Sequence, residues 1–176
     1  MRKLGIEELN RLNIEEFKLT EKISLSVILD NVRSLNNIGS IFRTCDAFLV
    51  EKLYLCGITS CPPHRDIHKT ALGATESVAW EYNSNTLEIL TKLKNDGYII
   101  FSAEQTDMSL LLQDLKLDGK KKYAIVFGHE VKGVDQAVID MCDACIEIPQ
   151  FGTKHSLNVS VSAGILIWEM FRQLNK

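Results

Sequence analysis

Several familiar features are missing from this chain of 176 residues. No apolar run approaches the roughly 20 residues that a membrane-crossing helix needs. The first residues, MRKLGIEELNRLNIEEF, alternate charge with apolar side chains and hold no signal-peptide core. Only three prolines and ten glycines punctuate the chain, and charged residues make up 24% of it. Those proportions exclude collagen-like repeats, coiled coil and general disorder. Positive charge is not in excess: 20 Lys and Arg face 23 Asp and Glu, a net charge of −3. A strongly basic coat for nucleic acid is therefore excluded, although a local patch is not. Five cysteines, an odd number, do not form a disulfide framework. Reduced, mostly buried thiols in a cytoplasmic protein are the expectation. No GxxxxGK[ST] phosphate loop occurs, and no GxGxxG follows the first apolar run, which argues against an ordinary dinucleotide-binding fold.

Present instead is an alternation of strand-length and helix-length segments. Strands are expected at Ile23 to Leu29, Lys52 to Cys56, Tyr98 to Ala103, Tyr123 to Phe127 and Cys145 to Ile148. Helices are expected at Ile38 to Phe48, Thr86 to Asp96, Val134 to Met141 and Leu157 to Leu174. This rhythm implies an α/β fold: a mainly parallel sheet covered by helices on both faces. Residues 1–22, with Leu4, Leu9, Leu12 and Phe17 as a rough apolar stripe, read as a short helical arm, and residues 23–176 as one domain.

Ligands of open parallel sheets bind beyond the carboxyl ends of the strands. The unusual polar clusters fall there: Asp30-Asn31-Val32-Arg33, Glu104-Gln105-Thr106, Gly128-His129-Glu130 and Pro149-Gln150-Phe151-Gly152. Cys142 and Cys145 form a CxxC, but it precedes a strand rather than opening a helix, so a helix N-terminus does not activate its thiols. With Cys56 and Cys61 the pair could make a four-thiolate zinc site, although the spacing is loose. His64 and His68 are four apart, and His129 and His155 lie in the polar loops.

Three segments carry the strongest signals. In Asn31 to Phe48 (NVRSLNNIGSIFRTCDAF), Asn37 and Gly39 mark a closely packed helix start. Arg43 follows one turn beyond Gly39, where a guanidinium can grip phosphate; pairing with Asp46 or Glu51 is the alternative. In Ala124 to Val134 (AIVFGHEVKGV), a buried strand ends at Gly128, whose missing side chain would let a ligand approach backbone amides. In Ile146 to Met170, Ser156 and Asn158 stand as caps before a helix with small residues at Ser160 and Gly164. That helix also has an apolar face of Val161, Ile165 and Trp168, which should pack in the core or against a second subunit.

In this order and at these separations, the three segments resemble the TrmH/SpoU family of the SPOUT methyltransferase superfamily. The resemblance implies a C-terminal trefoil knot, which periodicity does not reveal. It also implies a homodimer, and methyl transfer from S-adenosylmethionine to the ribose 2′-hydroxyl of tRNA or rRNA. On the same ground, Asn31, Arg43, Glu130, Ser156 and Asn158 are the expected catalytic positions. Ala103, Glu104, Gly128, Ile148, Ser156 and Leu157 are expected to hold the cofactor, and Arg33 with Arg43 the RNA. No metal is implied. A non-catalytic RNA-binding relative and a zinc-stapled interaction protein are the alternative readings.

Overall fold

The computed structural model describes residues 1–175, the side chain of Ile6 excepted; the expected domain end, Lys176, lies outside them. Seven parallel strands form a single sheet in the order β3-β2-β1-β6-β4-β7-β5. They span Ile23–Asp30 (β1), Val50–Cys56 (β2), Trp80–Asn83 (β3), Tyr98–Ala103 (β4), Leu110–Leu111 (β5), Lys122–Phe127 (β6) and Ala144–Glu147 (β7). The helices are Ile14–Leu19 (α1), Leu35–Ala47 (α2), Arg65–Ala71 (α3), Ala74–Ser77 (α4), Thr86–Asn95 (α5), Gln136–Ile139 (α6) and Val159–Leu174 (α7).

The two-residue period of a strand explains the two cores. On β1, Leu25, Val27 and Leu29 pack with Ile125 and Phe127 of β6 beneath α2, α3, α4 and α7. Ile28, between them in sequence, joins Ala124 and Val126 in a second cluster beneath α5 and α6. Every residue of β1 except Ser24 is buried. A strand covered on both faces must be nearly continuously apolar, which is why ISLSVILD is readable as a strand.

The expected helices and strands are found, with shifted ends. The second helix begins at Leu35 rather than Ile38, because Ser34 caps it by accepting from the Asn37 amide at 3.4 Å. The helix expected at Val134 to Met141 is a single turn, since Asp135 before it is extended. In the arm, α1 is helical and a 3-10 turn covers Ile6–Leu9; Phe17 alone of its apolar stripe is buried in the core. The segments that escaped sequence reading are short or polar. β3 is WEYN with no fully buried residue, β5 has two residues, and α3 buries only Ile67 and Ala71.

The sheet also fixes where a ligand can enter. β1 and β6 are neighbours, yet the chain leaves β1 for α2 on one face and β6 for α6 on the other. A crevice therefore opens at their carboxyl ends, the switch point where open α/β sheets bind ligands.

Candidate functional site

At that crevice the chain after β6 closes on itself. His129 donates its amide to Gly133 O at 3.0 Å and accepts from Gly133 N at 2.8 Å. Gly133 adopts φ +71°, a left-handed conformation that favours glycine. The turn projects Glu130 toward the start of α2. Its carboxylate accepts from Arg33 N at 3.1 Å, Ser34 N at 2.9 Å and Asn37 Nδ2 at 3.1 Å. Glu130 thus satisfies backbone amides that a helix N-terminus leaves free, and its charge matches the positive end of the helix dipole. Partial burial pushes the Glu130 pKa up, but the hydrogen bonds from Ser34, Arg33 and Asn37 outweigh it and hold the carboxyl below its ordinary value.

Asn37 extends this link to the third segment. Its Oδ1 accepts from Asn158 Nδ2 at 3.2 Å. Asn158 in turn caps α7, its Oδ1 accepting from Ser160 N at 2.9 Å and Ser160 Oγ at 2.6 Å. Glu130, Asn37 and Asn158 therefore join three distant segments at one point. Sequence reading treated Asn37 only as a marker of a packed helix start; Ser34 before an apolar stripe was the available sign that the helix begins earlier and carries Asn37 in its first turn.

Beside this junction lies a cleft of about 400 Å³, within the range of small-molecule sites. Its lining includes Ala103, Glu104, Gly128, Ile148, Ser156 and Leu157, the six positions expected to hold a cofactor, together with Glu130. A shallower depression of about 370 Å³, lined by Arg33, Ser34, His129, Glu130 and Val131, shares three of its residues with the cleft.

Several side chains have local duties that differ from the expectation. A Cβ on Gly128 would come within 2.3 Å of Gly133 C, so the missing side chain admits the chain's own turn at a residue that also lines the cleft. Glu104 braces the same turn: Oε2 accepts from Val134 N at 3.0 Å and Oε1 from Gln105 N at 2.9 Å. Ser156 is not a helix cap; it lies exposed in the loop, one wall of the cleft, and Asn158 alone caps α7. Gln105 Nε2 donates to His155 O at 3.1 Å and ties that loop to the end of β4.

Asn31 and Arg43 stand apart from the cleft. Asn31 adopts φ +58°; its Oδ1 accepts from Ile58 N at 3.1 Å and its Nδ2 donates to Asp30 Oδ1 at 3.0 Å. It fastens the loops after β1 and β2 to each other. Arg43 is exposed on α2 and makes no ion pair among the described residues. Its two candidate partners are engaged elsewhere: Asp46 accepts from Ser77 Oγ, and Glu51 accepts from Tyr98 Oη at 2.7 Å. Six residues beyond Asn37, at about 100° per residue, Arg43 faces some 120° away from it around the helix. Gly39 does serve close packing, because a Cβ there would meet Ile67 O of α3 at 2.3 Å.

Cys142 and Cys145 lack the surroundings of an activated redox pair. Cys145 is buried and accepts from Ser102 Oγ at 3.0 Å, while Cys142 Sγ donates to Val138 O at 3.2 Å. Burial, reinforced by the neighbouring Cys145, pushes the Cys142 thiol up to about 12. A thiol so held in the protonated form is a poor nucleophile. Among the described residues no three His, Cys, Asp or Glu side chains are grouped to hold a metal ion, and no helix is long and apolar enough to cross a membrane. His64 caps α3, accepting the Asp66 amide on Nδ1 at 3.2 Å, and His68 is exposed on that helix.

Comparison with known proteins gives this arrangement a family. The sequence profile of the SpoU rRNA methylase family matches residues 24–168. The chain is 33% identical over 162 residues to an uncharacterized tRNA/rRNA methyltransferase of Borreliella burgdorferi, covering 92% of this chain and 69% of that one. It spans 63% of a Staphylococcus aureus relative of the same identity. The crystal structure of a TrmH/SpoU tRNA modifying enzyme of A. aeolicus superposes with a TM-score of 0.81 at 30% identity, covering 92% of this chain and 81% of that chain. An AdoMet-bound rRNA methyltransferase of Sinorhizobium meliloti superposes with a TM-score of 0.79 at 26% identity, over 88% of this chain and 58% of that chain.

Proposed function

Because the chain belongs to the SpoU rRNA methylase family, we propose that it is a cytoplasmic, S-adenosylmethionine-dependent methyltransferase acting on the ribose 2′-hydroxyl of tRNA or rRNA. The observation that carries the reading is the junction of Glu130, Asn37 and Asn158 beside a cleft of cofactor size. Residues 1–22 serve as an arm, and the rest of the chain as the methyltransferase domain.

The residues present suit the cofactor. The cleft is walled by the ends of β4, β6 and β7 and closed by Ser156 and Leu157. Backbone groups after Ala103, Phe127 and Ile148 would hold an adenine and an amino-acid end, and apolar Ile146, Ile148 and Leu166 offer a dry wall. When bound, S-adenosylmethionine supplies an already activated methyl group, so the protein's task is orientation.

Glu130 positions rather than abstracts protons. Three donors converge on its carboxylate, and a carboxylate so held is a weak base. Arg43 is no base either, because a guanidinium offers only donors and no acceptor. Its free guanidinium is suited to gripping the phosphate next to the reacting ribose and stabilising oxyanion character there.

A homodimer completes the site. One face of α7 is buried through Ala163, Leu166, Ile167 and Met170, while Val161, Ile165 and Trp168 are exposed at 49%, 37% and 50%. Phe48, at the end of α2, packs against Trp168 at 5.4 Å between ring centroids, so this apolar face adjoins the half of α2 that carries Arg43. Covering it with a second copy would bring Arg43 near the partner's cleft. The trefoil knot has its support in the same region. Gln173 of α7 bonds Leu115 and Leu117, and His155 bonds Gln105, so the last segment runs along the β4–β6 connection at both of its ends.

Calorimetric titration with S-adenosylhomocysteine, followed by transfer of labelled methyl groups to total RNA and analysis of the nucleosides, tests the reading. Binding and label on 2′-O-methylated ribose support it. A folded protein that binds no S-adenosylhomocysteine, or that labels bases, overturns it.

A further inference from the structure

His129 stands in the wall that the cleft and the shallow depression share, half-buried between them. Its Nδ1 accepts two backbone amides, Val131 N at 3.0 Å and Lys132 N at 3.3 Å. A ring nitrogen that accepts carries no proton, so a neutral imidazole held this way has its proton on Nε2. The turn thereby selects one tautomer. Nδ1 faces into the turn, and Nε2–H, on the opposite side of the ring, donates to no group among the described residues.

We propose that His129 Nε2–H is a substrate-binding donor that holds a phosphate oxygen of the RNA in the depression beside the cofactor cleft. The inference rests on the methyltransferase reading above and goes beyond it by giving a role to a residue of this chain's own turn. Arg33 decides between RNA and cofactor as the acceptor. It lines the depression but not the cleft, its side chain is exposed, and it makes no ion pair among the described residues. Its backbone amide is held by Glu130, which anchors that loop while leaving the guanidinium free. A neutral donor and a guanidinium on one hollow suit a phosphate, whose oxygens are acceptors only. The Glu130 carboxylate in the same wall is already engaged by three donors.

Two substitutions separate the two nitrogens. In His129→Asn the side-chain oxygen can accept the amides two and three residues on, as Asn does in turns, but no donor reaches the Nε2 position. In His129→Gln the amide nitrogen reaches outward, while the acceptor inside the turn is lost. Steady-state methyl transfer at saturating S-adenosylmethionine, calorimetry with S-adenosylhomocysteine and thermal unfolding are measured for both and for the wild type. His129→Asn should keep the wild-type melting temperature and bind S-adenosylhomocysteine within about twofold. Its KM for RNA should rise about ten- to thirtyfold, the loss of one hydrogen bond to a charged group. His129→Gln should unfold at lower temperature yet retain a lower KM for RNA than His129→Asn.

A His129→Asn variant with the wild-type KM for RNA overturns the proposal, and so does one that weakens S-adenosylhomocysteine instead. A wild-type protein that neither binds S-adenosylhomocysteine nor modifies RNA removes the underlying reading, and the proposal with it. A wild-type protein that binds S-adenosylhomocysteine and modifies RNA, with the same KM for RNA in His129→Asn, removes the proposal alone.

Discussion

Two loops leave the carboxyl ends of β6 and β7, on either side of β4, and they are built in opposite ways. The one after β6, from Gly128 to Val134, is closed by a pair of backbone hydrogen bonds and by two amides on His129, and Glu104 braces it from outside. The one after β7 is exposed at every residue from Phe151 to Asn158, and Phe151 is 97% exposed. It touches the rest of the site through Gln105 to His155 and Asn158 to Asn37. The first loop is complete within one chain. The second exposes apolar groups beside an apolar helix face, the surface that the proposed homodimer would cover.

The largest effect should come from denying the second loop its cover. Ile165→Glu puts a charge on the outer face of α7, where the position is 37% exposed and the longer side chain can carry its carboxylate out to water at little cost to the folded monomer. It should leave the melting temperature of the monomer near the wild-type value while converting a dimer into a monomer in light scattering. Methyl transfer should fall at least about a hundredfold, since burying an unpaired charge in an interface costs several kcal/mol. A wild-type protein that is monomeric and active would break the comparison.

Next in size is the loss of Glu130, which tests the first loop. Glu130→Ala leaves the amides of Arg33 and Ser34 and the side chain of Asn37 without their acceptor. Water can reach this half-buried point, so stability should drop by about 2 kcal/mol rather than by the full sum of three bonds. Urea unfolding measures it. The expected loss of turnover is larger than the loss of stability, because α2 would no longer be registered against α7 through Asn37.

How much of this was legible beforehand follows from the same contrast. β1 and β6 are buried on both faces, so Leu25 and Val27 to Leu29 of β1 and Tyr123 to Phe127 of β6 leave apolar runs that declare themselves as strands. The cap at Asn158 is also readable, since Asn favours caps, whereas Glu130 is marked only by the family resemblance, because the helix start it serves lies 96 residues away. WEYN of β3 and the polar α3 left little pattern, because edge strands and half-exposed helices bury too few side chains to impose one. The packing role of Gly128 is hidden for a related reason. Close approach to a glycine looks the same in sequence whether the visitor is a ligand or a neighbouring turn such as Gly133. Asn37 could not be identified as the bridge, since its two partners are 93 and 121 residues away.

A smaller effect should follow from Asn158→Ala, which touches the seam between the two loops. The variant loses the cap that holds Ser160 N and the link to Asn37. A lost N-cap costs about 1 kcal/mol, and the exposed bond to Asn37 adds little to stability. If the link matters for geometry, kcat should fall more than the affinity for S-adenosylhomocysteine does. Asn158→Asp is the sharper probe. The carboxylate keeps the cap but cannot donate to Asn37 Oδ1, so stability should be retained while kcat is not.

The smallest expected effect is on acid stability, and it isolates the first loop. Hydrogen bonds hold the Glu130 carboxyl below its ordinary value of 4.5 in the folded chain. A carboxyl that binds its proton less readily when folded adds stability above its unfolded value, and that contribution disappears as the pH falls through the depressed folded value. Between pH 7 and 5 Glu130 should therefore contribute no slope, and the loss should begin only in the acid range below it. Glu130→Gln keeps one acceptor oxygen and one donor of similar size but does not titrate. Its stability, followed by urea unfolding, should be lower than wild type at pH 7 and should converge toward it as the pH is lowered. Parallel curves for the two proteins down to pH 3 would mean that the ionised carboxylate is not what holds the start of α2, and the first loop would then owe its order to its backbone pair, His129 and Glu104.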